Sequence, residues 1–117
     1  MNIQLSFEVF DEYLKVTLSG ENPFAEIEDI LKTIKSLSEK NNRARILIDA
    51  VNLSVPREME KFYIGELSVN MFGSKVKTAI LSKPEQINKF LENVVVNRGG
   101  RLYVTSSEKE GLDWLLK

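Results

Sequence analysis

Each of the three prolines in this chain, Pro23, Pro56 and Pro84, stands where an apolar, strand-like run gives way to an amphipathic one. Proline has no N–H to donate and a φ held near the helical value, so it is tolerated in the first turn of a helix and is costly further in. A fourth passage of the same kind lies at Thr105-Ser106-Ser107-Glu108. The repeated grammar, extended segment then helix, predicts an alternating α/β architecture more firmly than any other feature of the sequence.

The segments between these joints fill in the order. Ile3, Leu5, Phe7 and Val9 alternate with polar residues, which predicts a half-buried strand. Residues 13–18 form a second strand, separated from the first by the short turn Phe10-Asp11-Glu12, so the two are expected to pair antiparallel. Asn22 before Pro23 reads as the cap of a helix to about Lys40, with Phe24, Ile27, Ile30, Leu31, Ile34 and Leu37 on its apolar side. Residues 45–49, Arg-Ile-Leu-Ile-Asp, form a short strand of the type covered on both faces. A second helix follows Pro56, runs to about Phe72 and is closed by Gly73.

Residues 76–81 give the next strand, and Ser82-Lys83-Pro84-Glu85 opens a third helix with Ile87, Phe90, Leu91, Val94 and Val95 on one side. Asn97-Arg98-Gly99-Gly100 stops it, because glycine accepts the left-handed conformation beyond a helix end and Arg98 suits the negative pole of the helix dipole. Residues 102–104 are the last strand. Ser107 and Glu110 have capping-box spacing for a final helix carrying Leu112, Leu115 and Leu116. The expectation is a single domain over residues 1–117, ββαβαβαβα, with a mainly parallel five-stranded sheet, an antiparallel first strand at one edge and four helices.

Composition restricts the chemistry. The 117 residues contain no cysteine and no histidine, which removes thiolate chemistry, disulfides, the commonest general base and the commonest zinc ligand. The acidic groupings Glu26-Glu28-Asp29 and Glu58-Glu60 scatter around their helices rather than converge, so no catalytic site, metal site or cofactor is expected. A net charge of −1 with dispersed basic residues argues against a nucleic-acid partner. The chain starts directly into strand-like alternation, and no apolar run approaches the ~20 residues of a membrane span, so a cytoplasmic protein of bacterial type is expected.

The order of elements, the segment Ile46-Leu47-Ile48-Asp49 before a helix, and the ending Asn97-Arg98-Gly99, Tyr103-Val104 and Glu110-Gly111-Leu112-Asp113-Trp114-Leu115 resemble the STAS fold of sulphate transporters and anti-sigma-factor antagonists, in particular the small SpoIIAA-like bacterial proteins. The resemblance implies a non-enzymatic regulatory or protein-interaction module, often a homodimer, with a regulatory kinase or an anti-sigma-like protein as partner. In the antagonist branch a serine after the third strand, within Asp-Ser-Ser-Gly or a near variant, is phosphorylated. This chain reads Asp49-Ala50-Val51-Asn52-Leu53-Ser54-Val55-Pro56, so Ser54 alone holds a comparable place and the flanking serine and glycine are missing.

Candidate site residues follow from the tendency of ligands to meet such sheets at the carboxyl ends of the strands. Ser54 is a phospho-acceptor or a helix cap near Pro56. Asp49, Asn52, Arg57 and Ser82 are candidates for partner or ligand contacts, with Asp49 closing its strand. Arg57 and Lys61, one turn apart among Glu58 and Glu60, read as a solvated charged face or as an anion grip. The second helix carries apolar residues over roughly 220° of its circumference at ~100° per residue, about twice the arc needed against a sheet. Its Met59, Phe62, Tyr63, Ile64, Met71 and Phe72 are therefore expected to form an interface, unless neighbouring helices cover the excess. The alternative is a small apolar or lipid-like ligand held between helices and sheet, in a cavity lined by Phe62, Leu67, Phe90 and Leu91.

Overall fold

The computed structural model describes residues 2–117. Strands β1 (Gln4–Val9), β2 (Leu14–Gly20), β3 (Arg45–Leu53), β4 (Lys77–Leu81) and β5 (Arg101–Thr105) alternate after β2 with helices α1 (Ile27–Lys40), α2 (Glu58–Phe72) and α3 (Phe90–Asn97), and α4 (Glu108–Leu115) follows β5. The five strands lie side by side in chain order; β1 and β2 are antiparallel and every later pair is parallel. Right-handed crossovers that always advance in the same direction must place their helices on the same face of the sheet. Accordingly α1 packs over Leu14, Val16, Leu18 and Ile46, and α3 over Leu102 and Val104. Only α4, which follows the last strand, lies on the other face, over Leu47, Ala79 and Leu81.

Several boundaries differ from the sequence reading, each for a local reason. Pro23 and Pro84 start short 3-10 turns, Pro23–Glu26 and Pro84–Gln86, and the α-helices begin a few residues later. Asn22 adopts a left-handed conformation, φ 57°, and its side chain makes no capping bond. Lys89, φ 62°, similarly separates the second 3-10 turn from α3. Pro56 precedes α2 altogether. The backbone N–H of Arg57 donates to Glu60 Oε1 at 2.9 Å, and that carboxylate starts the helix instead.

β3 does not stop at Asp49. It continues to Leu53 through a bulge, where Thr17 and Ser19 of β2 face Asp49 and Asn52. In β1, the residues Leu5, Phe7 and Val9 do share the face of α1, but the strand lies beyond that helix's cover, so Phe7 is 50% exposed and only Ile3 at its start is buried. Ser107 Oγ accepts the Glu110 N–H at 3.2 Å, which caps α4 as its spacing predicts.

Candidate functional site

The inner layer of α2 is unlike the apolar face a sheet-packing helix normally presents. Lys61, Ile64, Gly65 and Ser68, with Phe72 one turn further, recur at helical spacing and turn inward. α2 leans on its neighbours: Gly65 allows Val94 of α3 to come so close that a Cβ at this position would lie 2.6 Å from Val94 Cγ1. On the other side, the rings of Tyr63 and Phe24 meet edge to face at 5.6 Å, and the Tyr63 hydroxyl donates to Glu28 Oε1 at 3.3 Å. The Glu28 carboxylate, followed by partial burial, pushes that hydroxyl's pKa upward. The wide apolar arc is therefore mostly explained by a helix flanked on both sides, with Met59, Phe62 and Tyr63 left on its outer surface.

Beneath α2 lies a cavity of about 180 Å³. Its walls are Leu18, Ile48, Ala50 and Leu53 from β2 and β3, Thr78 and Ile80 from β4, Leu102 and Val104 from β5, and apolar side chains of α1 and α3. At the end formed by the carboxyl ends of the strands it is bounded by residues 54–56, Ser82 and residues 86–89. Ser54, Val55 and Asn88 there are exposed, so the cavity reaches solvent at that end. Of the four residues expected to line such a cavity only Leu91 does; Phe62, Leu67 and Phe90 do not.

Lys61 is the unexpected group. Its side chain sits in the first turns of α2, not on a solvated face: the residue is 8% exposed and lines the cavity. Its polar contact is Asn88 Oδ1 at 3.4 Å, longer than a well-formed N–H···O bond. The same Asn88 oxygen accepts the Phe90 N–H at 3.1 Å. Counting only apolar residues on the α2 wheel hides Lys61; the signal is that its i+3, i+4, i+7 and i+11 neighbours are Ile64, Gly65, Ser68 and Phe72.

The other sequence-derived candidates fall into three places. Ser54 and Ser82 both line the cavity. Ser54 caps no part of α2; its backbone N–H donates to Gly20 O and its Oγ accepts the Asn22 N–H, both at 2.9 Å, so it ties β3 to the start of the first 3-10 turn. The Ser82 N–H donates to Thr105 O at 3.0 Å. Asn52 and Arg57 are exposed and do not line the cavity, and Arg57 pairs with Glu60 at 3.1 Å. That carboxylate's pKa is lowered, chiefly by the Arg57 backbone N–H and then by its guanidinium. Asp49 stands apart: it pairs in register with Leu81, on the α4 side, where its Oδ1 accepts the Val51 N–H at 3.2 Å. Ile64 is buried, and Phe72 and Met71 are half-buried, so Ile64 and Phe72 belong to the interior rather than to an outer interface.

Among the described residues no group of three or more carboxylates is arranged to hold a metal ion, and no helix is long and apolar enough to cross a membrane. A chain-order sheet with one antiparallel edge, three crossover helices on one face and a closing helix on the other defines the STAS, SpoIIAA-like class of α/β fold. No protein-family model matches the sequence, and no curated protein does. Among solved structures, an anti-sigma factor antagonist from Mycobacterium paratuberculosis is similar over 98% of this chain and 95% of its own, with a TM-score of 0.68 at 13% identity. An uncharacterised protein with a SpoIIAA-like fold from Shewanella loihica matches 97% of this chain and 94% of its own, with a TM-score of 0.59 at 18% identity. A glutamate-for-serine variant of RsbS from Moorella thermoacetica matches 96% and 94%, with a TM-score of 0.59 at 15% identity. At these identities the likeness establishes the fold.

Proposed function

We propose that this protein is a non-enzymatic regulatory module that works by binding a protein partner at the outer surface of α2. The observation that carries this reading is the exposed apolar group at the start of that helix: Met59 is 87% exposed, with Phe62, Tyr63 and Val55 also open to solvent. A long, adaptable methionine beside aromatic rings suits a contact surface. Ser54 is exposed and precedes it by a few residues in the chain, and the fold is shared with an anti-sigma factor antagonist. The partner in this reading is a regulatory kinase, an anti-sigma-like protein or a second copy of the chain.

Sedimentation and pull-down from the native host, with wild type, Met59→Glu/Phe62→Glu and Ser54→Asp, test it. Loss of self-association or of captured partners in the double variant, with the fold intact by circular dichroism, is expected. An unchanged partner set and unchanged mass in the double variant would overturn the reading. A changed set with Ser54→Asp assigns Ser54 as the switch; an identical set retires that role.

A second reading is favoured by a separate observation. The cavity under α2 is walled by apolar side chains and opens at the carboxyl ends of the strands, where ligands of α/β sheets usually sit. This supports a protein that holds a small, largely apolar ligand between helices and sheet.

A further inference from the structure

We infer that the ligand of this cavity is a medium-chain monocarboxylate, its chain in the void and its head group on Lys61. The inference rests on the ligand-binding reading above and assigns the chemistry of that same site. An ammonium taken out of water needs an anion or several hydrogen-bond acceptors around it. Lys61 has neither: its acceptor is Asn88 Oδ1 at 3.4 Å, already engaged by the Phe90 N–H. Among the described residues no carboxylate lies within ion-pairing distance of it. The charge borders a cavity with mostly apolar walls, near the end where Ser54, Val55 and Asn88 meet solvent. An anion seated there would leave the Asn88 amide N–H groups available as further donors.

Size and charge narrow the class. An engineered apolar cavity of ~150 Å³ takes benzene, so a void of about 180 Å³ suits a chain of roughly six to eight carbons. Two other cations line the cavity, but Lys89 is engaged by Glu92 and the Val104 carbonyl, and Arg101 stands at the amino end of β5, away from the mouth. The one ammonium left without an anion near the mouth matches one carboxylate better than a phosphate dianion, which calls for more donors.

The test compares sodium octanoate with 1-octanol, which has the same chain and no charge, by calorimetric titration into delipidated full-length protein. Wild type should bind octanoate at least tenfold more tightly than octanol. Lys61→Met should weaken octanoate on the order of 10–100-fold, the usual range for losing a hydrogen bond to a charged group, and leave octanol unchanged or tighter. Asn88→Asp supplies an internal carboxylate partner for Lys61 and should suppress octanoate binding in the same way, which keeps the test decisive if Lys61→Met does not fold. Octanol binding as well as octanoate to wild type, or octanoate binding Lys61→Met undiminished, would overturn the head-group assignment while leaving the cavity reading standing. Binding of neither compound would overturn both.

Discussion

The void under α2 makes a quantitative prediction about Ser68→Leu. Ser68 is at the centre of the inward face of α2 and lines the cavity. Its hydroxyl donates to the Ile64 carbonyl at 2.7 Å, a bond within its own helix whose loss leaves no buried donor behind. At about 24 cal/mol per Å³, a cavity of 180 Å³ forgoes about 4 kcal/mol of packing, the upper limit for any filling substitution. Leucine adds two to three apolar carbons, each contributing about 0.8 kcal/mol when buried, and is the better helix former by a few tenths of a kcal/mol. After imperfect rotamer fit, a net gain of about 1–2 kcal/mol remains. Urea denaturation should show the midpoint rising by roughly 1 M at an unchanged slope, since slopes for small domains are about 1–3 kcal/mol per M. The same variant should lose octanoate and octanol together. A loss of stability of about 1 kcal/mol or more would mean that α2 closes onto the sheet and that there is no space to fill.

Two further perturbations examine the surroundings of the site. Gly65→Ala should gain about 1 kcal/mol of helix propensity and lose about 1–3 kcal/mol to the clash with Val94, a net loss of up to about 2 kcal/mol; in a Val94→Ala background the same substitution should stabilise by about 1 kcal/mol, and a cycle without coupling would refute the close approach of α2 and α3. On the opposite face, Lys77 Nζ donates to the Trp114 carbonyl at 2.5 Å and lies 4.5 Å from the centre of its ring. Burial, followed by the charges of Arg101, Arg45 and Lys117, lowers its pKa from the ordinary 10.5. Between that lowered value and 10.5 the unfolded chain binds more protons than the folded one, so wild-type stability should rise with pH there relative to Lys77→Met; a difference between the two that stays constant from pH 8 to 10.5 would refute it.

The joints between elements were legible because proline and caps act through local chemistry, and the Ser107–Glu110 cap of α4 has the expected bond. What proline did not reveal is how each helix begins. Asn22 and Lys89 take left-handed conformations that a list of preferred caps does not anticipate, and Arg57 enters α2 through the Glu60 carboxylate. The extent of β3 was hidden for a different reason. An apolar-run criterion ends at Asp49, yet the bulge opposite Thr17 and Ser19 carries the strand four residues further, and the Asp49 carboxylate is accommodated by the Val51 N–H. The cavity was expected as the alternative reading, but its lining was drawn from apolar residues alone: Phe62, Leu67 and Phe90 do not reach it, whereas the polar Lys61 and Ser68 do. Burial of a lysine depends on what lies across from it, and strand order settles that through pairings distant in sequence.

That order also supplies a reason for the void itself. Successive parallel strands are ~4.8 Å apart, so crossovers from β2 to β3, β3 to β4 and β4 to β5 would centre their helices at the same ~4.8 Å spacing if each sat directly over its own strand pair. Packed helices need 8–10 Å between axes. The outer two can spread, α1 toward β2 and the buried Ile3, and α3 toward the free edge of β5. The middle helix has nowhere to move but outward, so α2 is wedged between α1 and α3 and reaches the sheet through Val69 and Phe72. A chain under selection for stability alone could fill the resulting gap with leucine or phenylalanine at the inward positions of α2. This one places Lys61 and Ser68 there, so the space that the topology creates is kept open and a positive charge is kept at its side.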